Sequence, residues 1–311
     1  MKEMATREAY GNALVELGEK NKDIVVLDAD LSKSTKTAGF GERYPDRFFN
    51  IGIAEADLVG TAAGLAAAGK IPFASTFAIF ATGRAYDQVR NSVCYPRLNV
   101  KLAATHAGIT VGEDGATHQA LEDIALMRAI PNMTVVVPAD GIEAKQAIEV
   151  AAEYDGPMYI RLGRSKVPVL NEDSYKFELG KGVVLKEGND VTIIATGIMV
   201  GEALKAAKEL KADGVDAEVI NIHTIKPLDK ELLISSATKT KAVVTAEEHN
   251  VMGGLGSAVS EVLSQNQATP MEMVGVNDTF GESGTPQSLL EKYGLTADVI
   301  SDKVRKVIKK K

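Results

Sequence analysis

The chain has 311 residues, which is long enough for two ordinary α/β domains that each have a hydrophobic core. Apolar residues make up 45% and charged residues 25%, and neither a bilayer-spanning apolar run nor a signal-peptide pattern is present, so we expect a soluble cytoplasmic protein. The net charge of −7 disfavours a nucleic-acid or anionic-membrane partner, and a single cysteine, Cys94, excludes an internal disulfide framework.

Short β-rich apolar runs alternate with longer helical patterns along the whole chain. This alternation predicts α/β architecture with parallel sheets. The predicted strands are Ile24–Asp28, Val100–Thr105, Thr134–Pro138, Met158–Leu162, Val191–Thr196, Ala217–Ile222, Ala242–Ala246 and Met271–Val276. The predicted helices are Glu55–Ala68, His118–Ala129, Ile142–Tyr154, Val200–Lys211, Leu255–Gln265 and Pro286–Tyr293.

The stretch Ser165–Gly188 shows little helical or strand pattern. It contains Pro168, the turn formers Asn171-Glu172-Asp173 and three glycines. Such a composition is typical of a connector between domains. We therefore predict a first domain over residues 1–167, a linker over 168–188 and a second domain over 189–311.

Parallel sheets bind ligands beyond the carboxyl ends of their strands, so polar residues that follow a strand are candidates for a site. The first predicted strand runs directly into Asp28, Asp30, Ser32 and Ser34. A ribose-binding acid is one interpretation, but no glycine fingerprint precedes it. Hydrogen bonds of Asp and Ser within a turn explain the same residues, and taken by itself the turn is the better explanation.

Glu55 opens a helix whose following residues are mostly small or apolar. An acid in the first turn is favoured by the helix dipole, which is a common and modest effect. Alternatively, a carboxylate that is desolvated at an apolar helix start is suited to proton chemistry. Gly60 and Gly64 weaken this helix, which indicates that another segment packs closely against it.

An aromatic cluster follows: Phe73, Phe77 and Phe80 lie within eight positions, although the chain has only 8 Phe and no Trp. Phe77 and Phe80 are three apart, so on a helical turn both rings face the same way. Aromatic pairs are more often part of a core, but such a pair also offers a surface on which a flat heteroaromatic ring stacks.

A glycine-rich segment directly follows the next predicted strand and contains His106, Asp114 and His118. These residues could form a metal triad, but three ligands at flexible spacing are weak evidence, and hydrogen bonding to a polyhydroxylated substrate fits them better. Arg161 and Arg164 end the last strand of the first domain. At least one guanidinium, a group suited to a bidentate contact with phosphate, is therefore expected at the same sheet edge.

Together these segments resemble the pyrimidine-binding domain of transketolase, followed by the transketolase C-terminal domain. The most specific segments are Asn50-Ile-Gly-Ile-Ala-Glu55, Phe77-Ala-Ile-Phe80 and the loop His106–His118. In the second domain, Val191–Gly197 and Glu247–Gly254 are similar to segments widespread in the wider family. The resemblance runs in order through nearly the whole chain, and it implies two parallel-sheet α/β domains.

The resemblance implies an enzyme that uses thiamine diphosphate to transfer a two-carbon ketol unit between sugar phosphates. Glu55 would contact N1′ of the aminopyrimidine and promote removal of the thiazolium proton. Phe77 and Phe80 would stack on the pyrimidine, and Asp30 would lie near the cofactor across a subunit interface. His106, as a second catalytic residue, would contact the carbonyl-end hydroxyls of the substrate. The other substrate-binding residues implied are Asp114, Arg7, Ser34, His118 and Arg164, the last better placed than Arg161.

One part of the family pattern is missing. The diphosphate-metal motif, a Gly-Asp-Gly followed later by an Asn, does not occur, because Gly112-Glu-Asp-Gly115 belongs to the substrate loop. The resemblance therefore implies no metal ligands in this chain and a partner, an N-terminal transketolase subunit, that binds the diphosphate and Mg²⁺ or Ca²⁺. The active enzyme would contain two of each subunit. Ala54 and Ala56 flank Glu55 where transketolases usually have basic or amide residues, which leaves the exact substrate open.

Other functions compete with this interpretation. Deoxyxylulose-phosphate synthases and the beta subunits of 2-oxo acid dehydrogenases share both domains and the glutamate. The synthases typically have Asp-Arg at the position of Thr105-His106, and the dehydrogenases lack the Gly-Glu-Asp-Gly-Ala-Thr-His arrangement. Gly254-Leu-Gly-Ser-Ala-Val259 resembles a truncated dinucleotide fingerprint, but its glycines do not follow a strand directly. A scaffold protein that kept only the fold would not need Glu55, the phenylalanines and the loop histidines together.

Overall fold

The computed structural model describes residues 2–172 and 174–311; Met1 and Asp173, the latter in the predicted linker, lie outside the described residues. Within these ranges the strands form a seven-stranded, a five-stranded and a two-stranded sheet. The predicted α/β fold with two largely parallel sheets is confirmed.

The strands are β1 (Glu3–Ala5), β2 (Ile24–Asp28), β3 (Phe48–Asn50), β4 (Ile71–Ser75), β5 (Lys101–Ala104), β6 (Thr134–Val136), β7 (Met158–Arg161), β8 (Lys166–Pro168), β9 (Val183–Lys186), β10 (Val191–Ala195), β11 (Ala217–Asn221), β12 (Thr224–Lys226), β13 (Val243–Asn250) and β14 (Met271–Val276). The α-helices are α1 (Thr6–Lys20), α2 (Ser32–Thr35), α3 (Ala38–Arg43), α4 (Glu55–Ala67), α5 (Tyr86–Gln88), α6 (Asp123–Ala129), α7 (Gly141–Glu153), α8 (Met199–Ala212), α9 (Lys230–Thr240), α10 (Leu255–Asn266), α11 (Pro286–Lys292) and α12 (Ala297–Ile308). Wider π-helical turns cover Phe80–Arg84 and Val89–Cys94, and 3₁₀ turns cover Pro45–Arg47 and Ile109–Asp114.

The first sheet has the strand order β12-β6-β7-β5-β4-β2-β3 and is parallel except at β12, which pairs antiparallel with β6. Since β12 follows β11 in the chain, the second half of the protein supplies an edge strand to the first sheet. The second sheet has the order β14-β13-β10-β11-β9, with β9 antiparallel. The small ribbon of β1 and β8 joins the N-terminus to the segment after β7. The predicted linker thus contains β9, and the domain boundaries at 167 and 189 stay predictions.

All eight predicted strands are present, and β2 and β14 have the predicted bounds. The sequence pattern does not predict β1, β3, β4, β8, β9 and β12, because most of them have three or four residues and show too little alternation. The predicted helix His118–Ala129 is wrong at its start, since α6 begins at Asp123. Before it, Ala120 forms a bridge with Ala107, and the Gln119 side chain binds backbone carbonyl groups.

Both faces of the first sheet are buried. In β2, Val25 and Leu27 pack into one apolar cluster, whereas Ile24 and Val26 pack into another on the opposite face. A parallel sheet covered by helices on both sides leaves polar side chains mainly at the strand ends, which is where the predicted site residues lie. In the described part of the chain, the helices are too short or too polar to cross a membrane.

A buried ion pair lies where the two halves meet. The Arg161 guanidinium donates from Nε to Asp123 Oδ2 at 2.7 Å and from Nη2 to the Glu248 carbonyl at 2.9 Å. Glu248 Oε1 in turn accepts a hydrogen bond from the backbone N–H of Thr110 at 2.7 Å. These contacts tie the carboxyl end of β13 to the segment that follows β5.

Candidate active site

Glu55 is the first residue of α4 and is only 5% exposed. The preceding residue, Ala54, has no side chain that could cap the helix, so the open N–H groups and the dipole of the helix face this end. Arg84 Nη1 donates to Glu55 Oε1 at 3.0 Å, and the Arg84 side chain is 53% exposed. The carboxylate is therefore desolvated, and its charged partner is a side chain that is open to solvent.

Phe77 and Phe80 form the predicted pair of parallel rings. Phe77 follows β4 and is buried, and Phe80 starts the wide turn Phe80–Arg84 and is half-buried. The ring centroids are 5.8 Å apart with an angle of 15° between the planes. The His106 ring stacks on Phe77 with centroids 3.8 Å apart, and the His118 ring meets Phe80 edge-on at 5.4 Å. The result is a continuous aromatic surface at the carboxyl edge of the first sheet.

His106 has a left-handed backbone conformation, with φ of 56°, and is buried. Its Nε2 lies 3.4 Å from Arg7 Nη1, and its Nδ1 lies 2.9 Å from Thr105 Oγ1. Burial, and then the charges of Arg7, Arg164 and His118, lower the pKa of His106 to about 3. Since a guanidinium can only donate, Nε2 is the acceptor, and the neutral ring has its proton on Nδ1. At neutral pH His106 is thus an uncharged hydrogen-bonding group.

Two arginines approach this neutral histidine. Arg7 Nη1 also donates to the carbonyl of Ser34 at 2.7 Å, so the contact is made with the backbone of Ser34 and not with its hydroxyl. Burial, followed by repulsion from Arg164, lowers the pKa of Arg7. Arg164 Nη1 donates to the Val111 carbonyl and to Glu113 Oε2 at 2.6 Å, and its side chain is 34% exposed. This part of the edge is therefore positively charged and partly open.

The guanidinium groups of Arg161 and Arg164 lie in different surroundings, although the two residues are only three positions apart. Arg161 points into the junction between the halves and is fully paired there, with a side chain that is 5% exposed. Arg164 remains at the rim of the cluster. An anionic ligand could reach Arg164 by displacing the exposed Glu113 carboxylate, but it could not reach Arg161.

The two predicted acids of the cluster lie at its margin. Asp30 is exposed with φ of 63°, and its Oδ1 accepts a hydrogen bond from Asn50 Nδ2 at 3.0 Å. Asp114 is exposed at the end of the 3₁₀ turn Ile109–Asp114. Asp28 behaves as the turn explanation predicts: it is buried and accepts hydrogen bonds from Leu31 N–H and from two threonine hydroxyls.

The structure thus brings together Arg7, Ser34, Phe77, Phe80, His106, His118 and Arg164, and it joins Glu55 to this group through Arg84. Sequence reasoning missed Arg84, whose guanidinium carbon lies 4.0 Å from the Phe80 ring centroid. Its position four residues after Phe80, one helical turn away, is the feature that could have indicated it.

Sequence reasoning also missed a role for the second half of the chain at this site. Gln119 Nε2 donates to the carbonyl groups of Ile109 at 3.2 Å and Glu282 at 2.9 Å. Gly281 lies so close to Gln119 that there is no room for a Cβ atom. The segment after β14 therefore packs against the loop that contains Asp114 and His118.

A cleft of about 510 Å³ opens beside this loop, lined by residues of both halves that include Ile79, Thr117 and Phe280. A larger surface groove of about 760 Å³ runs between α1 and α7, away from the aromatic and basic cluster. Among the described residues, no group of three or more His, Cys, Asp or Glu side chains is arranged to hold a metal ion.

Comparison with known protein families gives two matches that cover most of the chain. Residues 2–169 match the transketolase pyrimidine-binding domain, and residues 180–300 match the transketolase C-terminal domain. The chain is 51% identical over 98% of its length to a Methanocaldococcus jannaschii protein described as a transketolase C-terminal section, of which it covers 96%. It is 48% identical to a 6-deoxy-6-sulfo-D-fructose transketolase subunit of a Clostridium species, covering 98% of this chain and 95% of that one.

Longer relatives and solved structures show the same similarity. The human transketolase is 39% identical over 99% of the chain, but the chain covers only 49% of it. Among solved structures, a split-gene transketolase described as an inactive beta4 tetramer is 61% identical with a TM-score of 0.93, covering 98% of this chain and 99% of that one. The chain therefore corresponds in extent to one section of a transketolase.

Proposed function

The chain belongs to the transketolase family, and on this basis we propose that it is the pyrimidine-binding subunit of a split, thiamine-diphosphate-dependent transketolase. In this proposal it transfers a two-carbon ketol unit between sugar phosphates together with a partner subunit, in the cytoplasm. The main observation in favour is the buried carboxylate of Glu55, which Arg84 connects to the parallel rings of Phe77 and Phe80.

The residues around Glu55 fit the aminopyrimidine ring of the cofactor. The Arg84 guanidinium is a flat group with N–H donors; it lies against the Phe80 ring and donates to Glu55 Oε1. This place thus accepts a planar group that stacks on an aromatic ring and donates to a buried carboxylate, which are properties of an aminopyrimidine protonated at its ring nitrogen. When bound, thiamine diphosphate supplies the carbon nucleophile and the electron sink for the two-carbon unit.

Glu55 would hold a proton at the ring nitrogen N1′. Because Glu55 is buried, it would exchange that proton with the bound ring and not with bulk water. The buried rings of Phe77 and His106 would exclude water from one side of the bound ring. Asp30, on the exposed edge beside Asn50, is proposed to approach a cofactor bound across a subunit interface.

The substrate side of the proposal uses the positive rim of the cluster. Neutral His106, held by Arg7 and Thr105, would hydrogen-bond the hydroxyl groups at the carbonyl end of a ketose. Asp114 is exposed on the same loop and would contact the same end of the sugar. Bidentate arginine contacts suit phosphate, and the residues proposed to grip the sugar or its phosphate are Arg7, Ser34, His118 and Arg164.

A partner subunit is part of the proposal. The Gly-Asp-Gly motif is absent from the sequence, and the chain spans only about half of the human enzyme. We therefore infer that an N-terminal transketolase subunit binds the diphosphate and Mg²⁺ or Ca²⁺, and that two copies of each subunit assemble. The related beta4 tetramer, described as inactive, is consistent with a subunit that needs such a partner.

Native mass spectrometry of the tagged chain, purified gently from its own cells, tests this proposal. We expect a complex with a second protein that retains thiamine diphosphate and a divalent metal and transfers a ketol unit from xylulose 5-phosphate to ribose 5-phosphate. A homodimer of this chain that binds thiamine diphosphate tightly by itself would contradict the proposed division of the site.

A second substrate belongs in the same assay. The Clostridium relative is named for 6-deoxy-6-sulfo-D-fructose, and Ala54 and Ala56 depart from the usual residues beside Glu55. A sulfonate, like a phosphate, is an anion that Arg164 could bind. Faster turnover of the sulfonated ketose than of xylulose 5-phosphate would favour this second function.

A further inference from the structure

Arg84 is the charged partner of Glu55 in the chain by itself, at the place where the proposed ligand would bind. We propose that Arg84 is a displaceable placeholder that occupies the pyrimidine site of the free subunit and must move away before the aminopyrimidine can bind. This inference rests on the proposed function, because it concerns the same site.

Arg84 uses both of the surfaces that a pyrimidine ring would need: Nη1 lies 3.0 Å from Glu55 Oε1, and the guanidinium carbon lies 4.0 Å from the centroid of the Phe80 ring. A face of Phe80 can stack against only one flat group. Guanidinium and aminopyrimidine therefore compete for the same ring and the same oxygen.

A guanidinium is planar, donates hydrogen bonds in a fixed fork and stacks on aromatic rings, so that it resembles a protonated aminopyrimidine in shape and in hydrogen bonding. Within the described residues, Arg84 is the cation that forms an ion pair with Glu55. The pair compensates a carboxylate that would otherwise be buried without an opposite charge.

The two partners differ in their exposure to solvent. The Glu55 side chain is 5% exposed and belongs to the first turn of α4, whereas the Arg84 side chain is 53% exposed. Arg84 is the last residue of a π-helical turn and has neighbours exposed to solvent at Gly83 and Asp87. Arg84 can therefore swing into water when a ligand replaces it at the carboxylate, and Glu55 stays in place for the ligand.

The test uses the full chain alone and 4-amino-5-hydroxymethyl-2-methylpyrimidine, which contains the aminopyrimidine part of the cofactor and needs no partner subunit. Its dissociation constant is measured by NMR titration for the wild type, Arg84→Gln and Arg305→Gln. Arg305 is the matched control, because it is a 47% exposed arginine that pairs with Asp213 elsewhere on the surface.

We expect Arg84→Gln to bind the pyrimidine about tenfold more tightly than the wild type, which corresponds to the loss of one partly exposed ion pair and one cation–π contact as competitors. Arg305→Gln should bind like the wild type. Equal affinity of Arg84→Gln and wild type would overturn the displacement. Weaker binding by Arg84→Gln would also overturn it, and would make Arg84 a residue that contacts the ligand.

A stability measurement on the same proteins keeps the two proposals separable. Arg84→Gln should lower the melting temperature by a few degrees in the wild-type background but not in Glu55→Gln, where no buried charge remains to be paired. An equal fall in melting temperature in both backgrounds would show that Arg84 does not stabilise the protein by pairing with Glu55. Absence of pyrimidine binding by every variant would overturn the displacement even if the ion pair is found, whereas the proposed function is tested separately by the two-subunit complex.

Discussion

The carboxyl edges of the two sheets contain similar residues, but the hydrogen-bond partners of these residues differ. At the end of β13, Glu247 accepts hydrogen bonds from the backbone N–H groups of Leu255 at 2.7 Å and Gly256 at 2.8 Å, and Glu248 accepts one from Thr110. All of these groups are buried. At the edge of the first sheet, Glu55 has the exposed side chain of Arg84 as its partner.

The difference lies in how permanent the hydrogen-bond partners are. A backbone N–H at a helix start is fixed, so a carboxylate bound to it stabilises the fold and is not free for a ligand. A side-chain partner at the surface can leave when a ligand binds. Acids and histidines at strand ends therefore become candidates for a site only when their partners can be exchanged, and four predictions test this contrast.

The largest effect is expected for Glu55→Gln in the assembled enzyme. Removing the proton-exchanging carboxylate should lower the rate of ketol transfer by about 10²- to 10⁴-fold. Steady-state kinetics with the two-subunit complex measure it. The matched control is Asp57→Asn, which changes an exposed acid on the same helical turn and should leave the rate within a few-fold of the wild type. A Glu55→Gln enzyme of normal rate would support the scaffold alternative instead.

Arg161→Met should be the most destabilising of the changes at the junction. Burial alone would raise the pKa of Asp123, and the Arg161 guanidinium holds it below its ordinary value. Without Arg161 a charged or newly protonated carboxyl group is left buried, and we expect a loss of about 3–5 kcal/mol in the free energy of unfolding, measured by urea denaturation.

Arg164→Met is the comparison for that experiment, because Arg164 is half-exposed and pairs with an exposed glutamate. It should change stability little and instead raise the KM for the sugar phosphate. If both substitutions were equally destabilising, the assignment of Arg161 to the fold and Arg164 to the site would be wrong.

Gly281→Ala tests the support that the second half gives to the substrate loop. A Cβ atom at this position would overlap with Gln119 Oε1 and lie 2.6 Å from Ile109 Cδ1. We expect a loss of about 1–3 kcal/mol from overpacking and a higher KM, because the loop that contains His118 must shift. Gly201→Ala, with no atom within 4 Å of its new Cβ, is the control and should not destabilise. Adding Gln119→Ala to Gly281→Ala should restore part of the stability; no recovery would contradict the proposed contact.

The smallest effect concerns pH. The folded protein keeps the pKa of His106 at about 3, below its ordinary value of 6.5, so between these values the unfolded chain binds more protons than the folded one. The contribution of His106 to stability is thus present above pH 6.5 and is lost as the pH falls toward 3. Melting temperatures measured from pH 7.5 to pH 4.5 should fall more steeply for the wild type than for His106→Asn. Parallel curves would show that His106 does not titrate as its surroundings imply.

The sequence by itself determined much of this protein. The alternation of apolar runs predicted the α/β class and every central strand of both sheets except β4, because these strands are buried on both faces and have a strong local pattern. Residue types directly after strands also predicted where a site would lie, and short motifs predicted the family, which the comparisons confirm. The individual roles of the site residues stay predictions.

Only the tertiary structure decided which of these residues share an edge and which are removed from it. Arg161 and Arg164 have the same local context, yet one is buried against Asp123 and the other remains at the rim. The pairing of Glu55 with Arg84 joins residues 29 positions apart, and β12 adds to a sheet whose other strands lie far back in the chain. The physical reason is that local pattern reports which face of an element is buried, whereas the identity of a partner depends on how distant segments pack together.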